Sequence, residues 1–403
     1  MTASSTTTTT AGLRLASRIG GLNSEGALEV LARARALEAR GRHVAHVEVG
    51  EPDFPTAPHV VEAAARALRE GDTRYTPAAG LPELRATIAG SIEARGIPAT
   101  PEQVIVTPGV KPALFYSAIA VIEPGDEVLL PNPGFPMYPS FTRFCGAVPV
   151  SYGLRPSDRR PDVDEIEGLI TPRTRVLFLN APHNPTGGSI DAATLERLAA
   201  LIERHQLIVI TDEVYGRITY EASERAPSLA ALPNVRERTI VVDGFSKAYA
   251  MTGWRLGFTF VPTAMAERMA TMAVNGHTCT ATVTQRAGIA ALAGPQEAVR
   301  DMVAEFRRRR DYLVAALNRI PGVTCPTPAG AFYAFPDFRV ALEPSGLSIG
   351  EFADRLLQDH GVAALAGTAF GSRGEGHLRI SFAAGRETLE QAIVGIQACL
   401  ESL

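Results

Sequence analysis

Cysteine is scarce in this chain. Four in 403 residues, Cys145, Cys279, Cys325 and Cys399, stand far apart without a CxxC pair, which counts against a disulfide framework and a thiol-built zinc site and fits a reducing cytoplasm. Each reads as a small buried hydrophobe, with Cys279 set aside as the exception. Metal spacing is missing too: the eight histidines include no HExxH, so no metal is expected. Nor is there an excess of basic charge. A formal net charge of −4 makes nucleic acid and anionic membrane poor partners. Met1 to Gly12 is a Ser/Thr/Ala tract with no apolar core, neither signal peptide nor membrane span, and disorder is expected over residues 1–12. Small-molecule chemistry remains, in a chain long enough for two domains.

Between about residues 100 and 262, short apolar runs alternate with helical segments. Val104-Ile105-Val106, Glu127-Val128-Leu129-Leu130, Arg175-Val176-Leu177-Phe178-Leu179, Leu207-Ile208-Val209-Ile210 and Thr239-Ile240-Val241-Val242 end in Thr107, Pro131, Asn180, Thr211-Asp212 and Asp243-Gly244. This pattern predicts an α/β fold with a mostly parallel, doubly covered sheet. Ligands of such sheets sit beyond the carboxyl ends of the strands, where these polar residues lie. From Gln296 to Ile320 there is no Gly or Pro and apolar residues recur at helical spacing, predicting a long helix able to bridge two domains. Its run Arg307-Arg308-Arg309-Arg310 reads as a solvated face. Gly330 to Phe335 then alternates like a strand, and mixed helix and strand to the end predict a smaller α+β domain.

The chemistry is densest in Asp243-Gly244-Phe245-Ser246-Lys247-Ala248-Tyr249-Ala250-Met251-Thr252-Gly253-Trp254-Arg255-Leu256-Gly257. A lysine captures a carbonyl once burial or nearby cations lower its pKa, and the planar fork of an arginine can grip a phosphate. Lys247 and Arg255 therefore suggest an aldehyde cofactor with a phosphate tail. Asn180-Ala181-Pro182-His183-Asn184-Pro185-Thr186-Gly187 makes a polar turn in which Asn184 can reach a ring hydroxyl, with Asn184-Pro185 a candidate cis bond. Asp212-Glu213-Val214-Tyr215 ends the next strand; Asp212 is either a helix cap or the partner of a protonated pyridine nitrogen, and Tyr215 could reach the same ring. Thr107-Pro108-Gly109-Val110-Lys111 opens a helix whose free amides attract phosphate.

In this order the motifs resemble the class I/II aminotransferases of the aspartate aminotransferase fold, dependent on pyridoxal 5'-phosphate. The resemblance runs from Val49-Gly50-Glu51-Pro52-Asp53-Phe54 to Leu378-Arg379-Ile380-Ser381-Phe382. It implies a seven-stranded sheet in a large cofactor domain over residues 51–295, residues 13–50 as an N-terminal arm and part of the small domain, and 296–403 as the interdomain helix and the rest of it. It further implies that Lys247 forms the Schiff base and moves the Cα proton, that Asp212 holds the pyridine nitrogen, and that Asn184 and Tyr215 contact the phenolic oxygen. Arg255, Gly109 and Val110 match phosphate contacts, Tyr75 a phosphate contact across a homodimer interface, and Phe135 the aromatic stacked on the ring. Arg379, with the Gly50 amide, matches the clamp on the substrate α-carboxylate. Gly244 replaces a common serine, and His183 a common asparagine; the latter reads as a structural histidine. Lys111 matches a lysine that faces the distal carboxylate of acidic substrates, so the resemblance leans toward aspartate or glutamate. The Asn23-Ser24-Glu25-Gly26-Ala27 and Asn275–Thr280 segments depart from that pattern. The resemblance also leaves β/γ-elimination, replacement and cyclisation open as alternatives to ping-pong transamination.

Overall fold

The computed structural model describes residues 15–24, 26–221 and 223–403; the expected tail at 1–12 lies outside them. Seven strands form one sheet, in the spatial order Val104–Thr107, Gly257–Phe260, Thr239–Gly244, Ile208–Asp212, Thr174–Asn180, Glu127–Pro131 and Val148–Tyr152. Neighbours run parallel except at Gly257–Phe260, which is antiparallel to the strands on both sides. All five apolar runs are strands. The other two lack that signature for physical reasons: Val148–Tyr152 is an edge strand that carries Pro149 and is largely accessible, and Gly257–Phe260 follows the Arg255 turn with no helix between.

Successive side chains of a strand go to opposite faces. Val176 and Phe178 join Ile105, Leu130, Ile210 and Val242 in one core, whereas Leu177 and Leu179 join Leu129 and Val209 in another. Helices cover both, so the strands are apolar throughout. Each fully buried Leu, Ile or Phe contributes about 1.5–3 kcal/mol.

The helix Glu297–Leu317 leaves the sheet for a further core built on Phe306, Phe332, Phe338, Phe352, Ile380 and Phe382. Leu365–Ala366, Leu378–Ser381 and Tyr333–Ala334 form a small antiparallel sheet there, and Ala45–His46 pairs in parallel with Val362–Ala363. The helix Gly26–Glu38 packs Ala34 and Leu37 on Leu357 and Ala363. The N-terminal segment thus joins the C-terminal third, and the fold is α/β with a smaller α+β body. No helix among the described residues is long and apolar enough to cross a membrane.

Two expectations need correction. Arg307 and Arg308 are solvated, but Arg309 is buried, bonds Asp53 at 2.8 Å and donates to the Ala383 and Ala384 carbonyls, while Arg310 lies 4.4 Å from the Tyr220 ring centroid. Four consecutive residues exceed one helical turn of about 3.6, so they cannot share a single face. Cys145, expected to be buried, is only partly so, because it caps the end of the helix Met137–Phe144; Cys325 and Cys399 are buried.

Candidate active site

The carboxyl ends of the central strands open on a cavity of about 400 Å³. Asp212 ends its strand because its carboxylate accepts the Val214 amide at 3.2 Å and closes a turn. The Tyr138 hydroxyl donates to it at 2.8 Å. Both donors are neutral. Burial pushes the Asp212 pKa up to about 6 despite those two bonds, and the Asp243 and Glu213 charges reinforce burial. The two bonds leave the negative charge uncompensated, a condition that a protonated ring nitrogen would correct.

Asn180 ties adjacent strand ends together. It lies in register with Asp212; its Nδ2 donates to the Asp212 carbonyl at 2.9 Å, and its Oδ1 accepts the Asn184 amide at 2.8 Å. These bonds set the turn that carries Asn184, whose bond to Pro185 is cis. Asn184 Oδ1 accepts from Arg379 Nη1 at 3.1 Å. Arg379 comes from the small sheet and is buried, with Nη2 donating to the Glu48 carbonyl and Nε without a protein partner. Its guanidinium lies 4.5 Å from the Tyr333 ring centroid and 4.9 Å from that of Phe370. Contact with two aromatic rings restrains the orientation of the planar cation.

Lys247 lies in the turn after Thr239–Gly244, half-buried, and its Nζ donates to the Gly50 carbonyl at 2.6 Å. Gly50 has no space for a side chain, since a Cβ would stand 1.9 Å from the Tyr333 hydroxyl. That hydroxyl is 2.8 Å from the Tyr215 hydroxyl. Burial, then the Tyr333 phenol, hold the Tyr215 pKa well above its ordinary value.

On another wall Gly109, at φ 103°, caps the helix Val110–Val121. A Cβ on Gly109 would meet Arg255 Nη2 at 2.4 Å. The first amides of a helix have no partner within it, so those of Val110 and Lys111, with the exposed Arg255 guanidinium, make an arrangement suited to an anion. Arg255 is steadied by a 2.8 Å bond from Nη1 to the Thr252 carbonyl. At Gly244 a Cβ would come within 2.7 Å of Val110 Cγ2, so a serine in its place would push on this helix start.

Of the residues expected in the site, Gly50, Val110, Lys111, Phe135, Asn184, Asp212, Tyr215, Lys247, Arg255 and Arg379 line the cavity, and Gly109 abuts Arg255. Tyr75 does not line it and is 87% exposed. His183 does not line it either. It is buried with Nδ1 bonded to Thr186 Oγ1 at 2.8 Å and Nε2 without a protein partner, and burial, then the Arg159 charge, take its pKa down to about 3. The Asn275–Thr280 segment ends the helix Ala266–His277, where His277 stacks on Tyr116, and it also lies outside the lining of this chain's cavity. Asn180, a strand-end candidate given no particular role, lines the cavity, and so do Tyr138, Tyr333 and Phe370, which were not expected there. Only Asn180 carried a signal, a polar residue ending an apolar run; Tyr333 and Phe370 arrive by packing of the small body against the sheet. Among the described residues no group of three or more His, Cys, Asp or Glu could hold a metal ion.

Sheet and cavity together define an α/β fold that gathers a lysine, a buried carboxylate and an uncovered helix start beside an arginine at the strand ends. Comparison gives the family. The model of aminotransferase class I and II matches residues 42–396, and the chain belongs to that family. It is 34% identical to the aspartate aminotransferase of Geobacillus stearothermophilus over 97% of this chain and 100% of that one. The crystal structure of the Rhizobium meliloti aspartate aminotransferase superposes with a TM-score of 0.91 at 36% identity, over 97% of this chain and 99% of that one. The Thermus thermophilus aspartate aminotransferase with maleate does so at 0.89 and 37%, over 96% and 100%. The protein is a pyridoxal-phosphate-dependent aminotransferase, acting on amino acids and 2-oxo acids. Transamination is favoured over elimination, replacement or cyclisation.

Proposed function

We propose that this aminotransferase takes an acidic amino acid, aspartate or glutamate, with Lys247 as the catalytic base and Arg379 as the carboxylate clamp. One observation carries the proposal: Lys247, Asp212, Arg379 and Lys111 face a single cavity from a turn, two strands and a helix that lie apart in sequence. Arg379 suits an α-carboxylate, and Lys111 adds a second cation for a distal one. The relatives named aspartate aminotransferase, one of them with the dicarboxylate maleate, support this reading.

The residues suit the cofactor. Gly109 leaves the helix start uncovered beside Arg255, and Asp212 is a buried carboxylate lacking a compensating charge among its hydrogen-bond donors. Pyridoxal phosphate, when bound, supplies an aldehyde that captures the amino group and a pyridine ring that takes up the electron pair of the Cα–H bond. Asp212 would keep the ring nitrogen protonated. Asn184 and Tyr215 would contact the ring oxygen, Phe135 would cover a ring face, and Gly109, Val110 and Arg255 would hold the phosphate. Arg379, aided by the Gly50 amide, fixes the α-carboxylate so that the Cα–H bond is presented to Lys247. Lys247 Nζ then moves the Cα proton. The same residues serve the return half-reaction with a 2-oxo acid, giving a ping-pong cycle.

The exposed Tyr75 serves, on this reading, the phosphate of a second copy in a homodimer. Residues 51–295 act as the cofactor domain, with 13–50 and 296–403 as the second, and the reaction belongs in the cytoplasm. Two measurements test the core. Lys247→Ala should lose the absorbance band of the lysine-bound cofactor. In a panel of amino donors, aspartate or glutamate should turn over fastest, and Lys111→Ala should lower their kcat/KM by about 10- to 100-fold while leaving alanine unchanged, the value of a hydrogen bond to a charged group. Fastest turnover of an apolar or aromatic donor, unaffected by Lys111→Ala, rejects the acidic assignment.

A further inference from the structure

Tyr333 stands where three parts of the site meet. Its strand pairs it with Ser381, two residues past Arg379, which puts the Tyr333 and Arg379 side chains on one face of the small sheet. The ring lies 4.5 Å from the Arg379 guanidinium, and the hydroxyl is 2.8 Å from that of Tyr215. The same hydroxyl presses on Gly50, whose carbonyl accepts from Lys247 Nζ at 2.6 Å. Phenylalanine would supply the ring equally well, so the hydroxyl is the feature to explain.

A phenol has one proton and two lone pairs, and the Tyr215–Tyr333 bond uses one of the two protons present. If Tyr215 donates, its proton is spent inside the pair. If Tyr333 donates, the Tyr215 proton is left for the cavity. We propose that Tyr333 is a positioning residue: its hydroxyl donates to the Tyr215 oxygen and leaves the Tyr215 proton for the phenolic oxygen of the cofactor, while its ring keeps Arg379 flat for the carboxylate. This rests on the roles given above to Tyr215 and Arg379. The charged and titratable groups around the pair are Asp212 with Tyr138 beside Tyr215, Arg379 on the Tyr333 ring, and Lys247 on Gly50. A proton donated to the ring oxygen makes that oxygen a poorer base, and so lowers the pH at which the lysine-bound cofactor releases its own proton.

The test is a pH titration of the cofactor absorbance in holoenzyme, alongside KM for the fastest amino donor. Tyr333→Phe should keep its melting temperature and KM near wild type while the titration midpoint rises by about half to one pH unit, the equivalent of one neutral hydrogen bond. Tyr215→Phe should raise the midpoint at least as far, and the double variant no further than Tyr215→Phe. Tyr333→Leu, which also removes the ring, should in addition raise KM by about tenfold. An unchanged midpoint in Tyr333→Phe beside a shifted one in Tyr215→Phe overturns the proposal and leaves the role of Tyr215 standing. No shift in either variant overturns both. A midpoint shift in Tyr333→Phe that adds fully to that of Tyr215→Phe also overturns it, because the hydroxyl then acts independently of Tyr215.

Discussion

Replacing Asp212 by asparagine should stabilise the cofactor-free protein and weaken its hold on the cofactor. The carboxylate is buried with two neutral donors, and its pKa stands at about 6 rather than 3.8. The folded state therefore binds this proton more tightly than the unfolded chain does, so stability is greatest below about pH 3.8 and is lost as pH rises through about 6. The difference is worth about 3 kcal/mol at pH 8 and roughly half of that at pH 5. Asparagine keeps an acceptor for Tyr138 and Val214 without the charge. Cofactor-free Asp212→Asn should thus melt about 3 °C above cofactor-free wild type at pH 8, with a smaller margin at pH 5. Adding pyridoxal phosphate should reverse the order, because only the wild type gains a charge partner for the ring nitrogen, and activity of the variant should fall by about two orders of magnitude or more. Thermal melts at both pH values, with and without cofactor, give the comparison. A variant no more stable than wild type at pH 8, or a margin independent of pH, would refute the electrostatic reasoning.

His183, held neutral with a pKa near 3, must cost stability as pH falls below about 6.5, where only the unfolded chain takes the proton; His183→Asn should remove about 2 kcal/mol of that loss at pH 5 while activity stays within about threefold, read from melts at pH 5 and 7.5. Gly109→Ala should weaken cofactor affinity by about tenfold or more, since its φ of 103° and the 2.4 Å approach to Arg255 both oppose a side chain, and a fluorescence titration measures this. Sedimentation should find a dimer in the active enzyme, with Tyr75→Ala raising the cofactor Kd; an active monomer removes the proposed role of Tyr75.

Much of the site was legible because its chemistry sits at fixed offsets from strand ends. Asp212, Asn184 and Lys247 follow apolar runs, and the doubly covered sheet makes those runs continuous and easy to find. Gly109 announced a helix start. Arg379 was different: it lies in a four-residue strand, Leu378–Ser381, without a motif of its own, and was placed by resemblance to a family rather than by pattern. The edge strand with Pro149 and the strand after Arg255 escaped the pattern because neither is a bounded apolar run.

Resemblance to a family named the cofactor to which Lys247 and Arg255 belong; alone, the sequence determined five of the sheet's seven strands and the order of their functional ends. Local chemistry suffices for that, since turn residues, apolar periodicity and helix starts act over a few positions. Only the tertiary structure decided that Arg379 lies against Tyr333 and Phe370, that Tyr333 touches Tyr215 and Gly50 together, that His183 lies outside the lining of the cavity, and that Arg309 is buried. The hydrogen bonds that join the small body to the sheet link distant positions, Tyr333 to Tyr215 across 118 residues, Arg379 to Asn184 across 195, Lys247 to Gly50 across 197 and Arg309 to Asp53 across 256, so only packing brings these partners within reach.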